Sequence, residues 1–211
     1  MRPFILAVAT VLLMTSGAAM PASCEAQVNS NFFKSKPKPT IQRSPKGSFS
    51  LKLPVSAHEI KISESQDELQ EQVTVNDKIG MQLSVLVTHR TPESKTWLKE
   101  WYEELPPEIR DEATGRPAKM TKRMLSFRDG IPMVYLIKGP FRTNEGRIYF
   151  VNNGIFEYQG KIYDISATNP LAGKPQVTGK LPQGIDAEEV SARFLAVECF
   201  GTLKTHLVLN D

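Results

Sequence analysis

Residues 146–170 read GRIYFVNNGIFEYQGKIYDISATNP, and the fold turns on whether this stretch holds a ligand or builds a sheet. Ile148 and Phe150 fall on one side of an extended chain, and Phe156 shares a side with Tyr158, as strand alternation requires. Cross-strand packing then accounts for the aromatics without a ligand. Asn152-Asn153-Gly154 carries an Asn-Gly turn signal, so the expectation is a hairpin between Arg147–Val151 and Ile155–Gln159. The alternative is one long strand over 147–159 with a bulge at Asn152-Asn153. Gln159-Gly160-Lys161 turns the chain into a further strand, Ile162–Ala167. Function in this stretch would sit in its turns, where a rigid scaffold leaves residues free to vary.

Upstream the same alternation recurs. Ser48–Leu53 places Phe49, Leu51 and Leu53 on one face, and Pro54 ends the strand. A short strand is expected over Glu59–Ser63. Leu69–Val75 and Met81–Thr88 pair across the turn-like Asn76–Gly80. Met120–Phe127 and Ile131–Lys138 flank Arg128-Asp129-Gly130, another tight-turn signal, with Pro132 at a strand start where its missing N–H costs least. Glu108–Lys119 reads as a surface loop, and so does Pro170–Gly184.

Two helices complete the pattern. Thr91 caps the first, Pro92 suits its first position, and Trp97, Trp101 and Leu105 recur at the spacing of one helical face. That stripe is read as packing on the sheet rather than as a stacking platform. Asp186 caps the second helix, with Glu189 as its capping-box partner. Val190, Phe194 and Val197 are read as its apolar face, and Gly201 as its stop. A last strand falls within Leu203–Leu209. Strands joined by tight turns imply an α+β fold, a mainly antiparallel sheet with helices packed on it. The expected single domain covers residues 48–211.

The chain of 211 residues is 40% hydrophobic, enough for a buried core. Its N-terminus reads as a signal peptide over residues 1–26. Arg2 precedes the apolar run Phe4–Met14, which is too short to cross a hydrocarbon core as a helix. Cleavage is expected after Ala26, with Ala22 the weaker position. Pro21-Ala22-Ser23-Cys24 also resembles a bacterial lipoprotein box in its Ala-Ser-Cys part, which makes Cys24 the alternative lipidation site; proline at the first position departs from that pattern. If Cys24 is removed or lipidated, Cys199 has no partner within the chain. Residues 27–47 form a basic Pro/Lys/Ser-rich linker that carries Lys34, Lys36, Lys38, Arg43 and Lys46 and no acid. Such a run is a solubilising spacer first and a contact for an anionic surface second. From residue 48 onward 20 basic side chains face 22 acidic ones, so nothing in the body points to nucleic acid.

Several of these segments together resemble a known group. Gly47–Pro54 opens the domain and a Trp-bearing helix follows the second hairpin. Gly130-Ile131-Pro132 begins a central strand, Gly160–Ile165 forms a late one, and Glu189–Leu195 lies in the final helix. The set resembles small exported bacterial proteins with a fold similar to PsbP, the extrinsic lumenal subunit of photosystem II. The chain departs from them at its end, where Phe194–Phe200 is longer and lacks the expected serine. The resemblance implies a PsbP-like sandwich and a binding or assembly role with a protein partner, and it supplies no catalytic residues.

The search for chemistry points the same way. His58, His89 and His206 do not stand at metal-ligand spacing, and no nucleophile elbow or phosphate loop occurs, so no metal or cofactor is expected. Two function classes remain. The preferred one is an exported non-enzymatic binding or assembly module in the periplasm, outside the cell or at a membrane surface, reached through the linker or a lipid anchor. The alternative is a small hydrolase or ligand-binding enzyme with a scattered site that includes His89 and Glu104.

Overall fold

Ile148–Tyr158 is one uninterrupted strand inside an eight-stranded sheet, not a hairpin. A computed structural model describes residues 40–53, 60–77, 81–92, 94–111, 115–128, 130–169 and 186–210. The elements in chain order are β1 (Thr40–Arg43), β2 (Phe49–Leu53), β3 (Ile60–Gln66), β4 (Gln70–Asp77), β5 (Gln82–Thr88), α1 (Trp97–Glu104), β6 (Glu108–Arg110), β7 (Pro117–Ser126), β8 (Pro132–Arg142), β9 (Ile148–Tyr158), β10 (Lys161–Thr168), α2 (Ala187–His206) and β11 (Leu207–Leu209). The large sheet runs β3-β4-β5-β10-β9-β8-β7-β6 and a small one runs β1-β2-β11, with every pairing antiparallel. This is an α+β fold. The signal segment, Ala22, Cys24, Ala26, the linker up to Pro39 and the loop at 170–184 lie outside the described residues.

The two faces of the large sheet take different cover. Val73, Val85, Met133, Phe156, Tyr163 and Ile165 face α2 and the small sheet, in one cluster with Phe49, Leu51, Phe200 and Leu207. On the other face Val134, Leu136 and Ile155 meet Leu98 of α1, with Trp97, Trp101 and Leu105 packed around them. The tryptophan stripe is therefore a packing face, as its spacing predicts.

Gly154 explains why β9 does not turn. A Cβ there would stand 2.7 Å from both Met133 Sδ and Phe200 Cζ, so the glycine makes room for α2. Its neighbours pair without a break, from Tyr158↔Lys161 to Val151↔Thr168. The tight turn lies at Gln159-Gly160 instead, where both residues have positive φ, 50° and 69°. The only register irregularity between β8 and β9 falls between Lys138 and Phe141, not at Asn152-Asn153.

Other boundaries also differ from the sequence reading. Residues 40–43, expected in the linker, pair with β2 as β1; the Lys-Pro run ends at Pro39, and Thr40-Ile41 suits a strand. The stretch Glu108–Lys119 is no loop but the β6–β7 hairpin, closed by the Asp111 N–H donating to Arg116 O at 2.9 Å, with Pro117 opening β7. Helix α1 starts at Trp97 with Thr96 at its cap, because the chain stays extended through His89, whose N–H donates to Leu69 O. Helix α2 runs through Gly201 to His206, since burial of Leu203 and Leu207 outweighs the weak helix preference of one glycine.

Candidate functional site

Helix α2 is apolar on two sides. Asp186 caps it, its Oδ1 accepting from the Glu188 N–H at 2.9 Å. Ala192, Ala196, Cys199, Phe200 and Leu203 are buried against the sheet. The two alanines let the helix sit close to Ile148 and Phe150 on β9. Val190, Phe194 and Val197, expected to be the packing face, point outward instead and are 37%, 47% and 40% exposed. They stand on successive turns, flanked by exposed Arg193, and exposed Gly201 continues the line. Sequence reasoning chose the bulkier stripe as the core. The signal it passed over was Ala192, Ala196, Cys199 and Leu203, which share one helical face at the same spacing.

The stripe is rigidly mounted. At the C-terminal end of α2 the Arg128 guanidinium donates to the carbonyls of Lys204 and Leu207, and the Lys204 ammonium donates to Ser126 O at 3.0 Å. Arg128 satisfies carbonyls that the helix end leaves open, Lys204 ties that end to β7, and both cations complement its negative pole. A second apolar pair, Met124 and Leu125, is exposed on β7. The residues of β7 from Met120 onward have β8 as their strand partner, while β6 covers only Pro117–Lys119.

His89 and Glu104 lie apart in role. His89 Nε2 meets Glu71 Oε1 at 3.0 Å, and Glu104 is exposed at the last turn of α1. No hydrogen bond or ion pair joins the two among the described residues. Glu71, missed by sequence reasoning, is fully buried on β4 and accepts the Lys46 N–H at 2.8 Å. Burial alone would raise its pKa, but bonds from Ser48, the Lys46 backbone, Ser44 and His89 outweigh that and hold it below the usual carboxylate value. The carboxylate thus clamps the β1–β2 turn, Ser44–Gly47, onto the large sheet. Its signal in the sequence is the strand alternation that sets Glu71 on one face with Val73 and Val75.

Polar groups also gather on the α1 side of the sheet. Asn153 Nδ2 donates to Asp164 Oδ1 at 3.0 Å. Burial pushes the Asp164 carboxyl above its ordinary range, against the opposing effects of the Asn153 bond and the Lys138 charge. Gln72 Nε2 donates to Ser84 Oγ at 2.9 Å beside Thr74, and Trp97 Nε1 donates to Glu157 at 2.9 Å. On the α2 side Tyr135, Asn152 and Ser191 are buried polar side chains. Burial pushes the Tyr135 hydroxyl up to about 12. Among the described residues no three His, Cys, Asp or Glu side chains group as a metal site. No helix among them is long and apolar enough to cross a membrane.

No protein-family model matches the chain, and no curated protein does. Among solved structures it is similar to a protein of Bacteroides thetaiotaomicron at 11% identity and a TM-score of 0.39, over 83% of this chain and 50% of that one, so it spans half that protein's length. It is also similar to the Saccharomyces cerevisiae Ran-binding protein Mog1p at 12% identity and a TM-score of 0.43, over 82% of this chain and 96% of that one.

Proposed function

We propose that the chain is an exported binding or assembly module of the PsbP-like kind that holds a protein partner on the outer face of α2. The observation that carries this is the line Val190, Phe194 and Val197. These are large apolar side chains on successive turns of a helix whose opposite face already fills the core. Contiguous exposed apolar surface of this sort marks interaction sites on soluble proteins. A partner groove would read it as anchors at i, i+4 and i+7. Export is supported by the order of charged, apolar and small-residue regions over residues 1–26. The basic stretch from Lys34 to Lys46 adds attraction for an anionic partner or membrane surface. The bonds of Glu71 to His89 and to the Lys46 N–H support reading the pair as a clamp on the β1–β2 turn.

Cross-linking and co-purification of the native protein, beside the variant Phe194→Glu, tests the reading. A partner captured by the native chain and lost with the variant is expected. Equal capture by both would refute the site, and turnover of a substrate that depends on His89 or Glu104 would refute the function.

A further inference from the structure

Strand β7 keeps an open edge beyond its short pairing with β6. The Met120 N–H donates to Pro107 O at 3.0 Å on the β6 side, and the Phe127 N–H donates to Ile131 O at 2.8 Å on the β8 side. Backbone groups alternate between the two sides along an antiparallel strand. Lys122 and Met124 therefore aim N–H and C=O away from β8, and no strand among the described residues pairs with them there. Such a row is a template for one more strand.

The side chains along this edge select what can pair with it. On the α2 face of the sheet Arg123 stands opposite Tyr135, and Leu125 stands opposite Met133. Arg123 and Arg193 of α2 are both exposed, and neither makes a hydrogen bond or ion pair among the described residues. Both charges oppose the effect of burial on the Tyr135 hydroxyl, so both guanidiniums lie near that ring. Lys204 adds a third cation where its ammonium donates to Ser126 O. On the α1 face Met124 is exposed opposite Val134, and Lys122 is committed to the carbonyls of Tyr102 and Leu105. Residues 117–128 carry Lys119, Lys122, Arg123 and Arg128 and no acid. A second copy pairing antiparallel on this edge would set these cations against each other, which is unfavourable.

We propose that the β7 edge takes an extended acidic segment of a partner protein as a further strand, held by the backbone of Lys122 and Met124 with acidic side chains beside Arg123 and Arg193. Main-chain bonds give such a site its affinity, and alternate side chains give it its choice of partner. The residue opposite Arg123 sits where no main-chain bonds form and facing side chains come closest. This edge is separate from the line of Val190, Phe194 and Val197 and does not rest on it.

The probe is a short synthetic peptide that alternates glutamate with valine. It is titrated into the purified full chain by calorimetry, and amide hydrogen exchange is read by NMR. The peptide should bind, more weakly as salt rises, and the Lys122 and Met124 amides should gain protection. The same peptide with lysine for glutamate, or with N-methylated amides, should not bind. Arg123→Glu should weaken binding by about tenfold, since an attraction across the strands becomes a repulsion. Met124→Pro removes an outward N–H that the β7–β8 ladder does not use, so the folded variant should lose binding. If circular dichroism shows that the proline variant is unfolded, Arg123→Glu at its exposed site decides. Phe194→Glu should bind the peptide as the native chain does; if it does not, the peptide sits on the α2 stripe and the edge proposal fails. No binding at millimolar peptide, equal binding of the lysine or N-methylated peptide, or protection confined to other strands also overturns it. So does sedimentation that shows a dimer lost with Met124→Pro, which would give the edge to a second copy.

Discussion

Replacing Gly154 by alanine tests the packing of α2 on the sheet most directly. The added Cβ would lie 2.7 Å from Met133 Sδ and 2.7 Å from Phe200 Cζ, with Ile165 Cγ1 at 3.2 Å. Carbon contacts are comfortable near 3.5–4.0 Å, so about 1 Å of overlap must be relieved. Little room exists, because Met133 is 1% exposed and Phe200 leans on the Tyr135 ring at 4.9 Å. Overpacking of this size costs about 1–3 kcal/mol. Alanine recovers about 0.4–1 kcal/mol by stiffening the unfolded chain. The expected net loss is therefore about 1–2 kcal/mol, or roughly 2–8 °C of melting temperature for a domain of this size. Gly201→Ala is the matched control. It sits in the interior of α2 with nothing within 4 Å of a built Cβ, and should gain about 1 kcal/mol. The assay is urea and thermal unfolding followed by circular dichroism, with the double variants Gly154→Ala/Met133→Ala and Gly154→Ala/Phe200→Leu completing thermodynamic cycles. Making room should recover part of the loss in at least one of them. If Gly154→Ala stabilises as Gly201→Ala does, or if neither cycle shows coupling, the close approach of α2 to β9 is wrong.

Glu71→Gln should destabilise the domain by about 1–3 kcal/mol at neutral pH, because a buried hydrogen-bonded carboxylate is replaced by an amide that cannot accept all its donors. The Glu71 pKa is lower in the folded state, so its contribution is full above the ordinary value of 4.5 and is lost as pH falls through the folded value. Urea titrations from pH 7 to about pH 3 should therefore show a flatter acid limb for the variant; an unchanged limb contradicts the clamp. The sign reverses at Asp164, whose pKa is raised, so that folding loses stability as pH rises through the folded value. Asp164→Asn should lessen that loss, making the variant relatively more stable at neutral than at acid pH. Lys122 Nζ donates to Tyr102 O at 2.7 Å and Leu105 O at 2.9 Å. Lys122→Met should cost about 1–2 kcal/mol and shift the fluorescence of Trp97 and Trp101, since it frees the end of α1. Phe194→Glu should leave stability within about 0.5 kcal/mol of the native protein while abolishing partner capture.

Strand alternation carried most of the sheet. Phe49, Leu51 and Leu53, then Met81, Leu83, Val85 and Val87, are buried as their period of two requires. Glycine was harder to read, because it answers two different demands. At Gly160 it allows positive φ in a turn, and at Gly154 it admits another element's side chain. Only the second demand depends on what α2 brings from far along the chain. A local Asn-Gly signal therefore could not tell a hairpin from a through-going strand. Helix α2 failed for a related reason. With apolar residues on both faces its periodicity is ambiguous, and hydrophobic size favoured Val190, Phe194 and Val197 over the alanines that fit. Strand alternation sets Glu71 on the face of Val73 and Val75, but its backbone donor comes from Lys46 in the Ser44–Gly47 turn, and no spacing within β4 announces it.

The two faces of α2 make different demands, and that difference bears on function. Folding needs the inner face to approach β9 closely, so it selects Ala192 and Ala196 there and puts the one large ring, Phe200, over Gly154. Nothing in the core requires Val190, Phe194 or Val197 to be apolar, and single exposed apolar residues need no explanation. Three on successive turns of one helix are different, because together they present a continuous apolar line. Both ends of that helix are held, by the Asp186 cap and by Arg128 and Lys204. The backbone therefore has little freedom left to lose when a partner closes on it. Binding to a pre-ordered helix avoids the ordering cost that a flexible segment would incur. A modest apolar contact can then give useful affinity, which is the property an assembly module needs. It also predicts where affinity would be lost without any change at the contact. Loosening the C-terminal end through Arg128→Ala should weaken partner binding even though Arg128 does not belong to the stripe. A variant that binds as well as the native chain while its α2 end frays in hydrogen exchange would break the link between rigidity and binding.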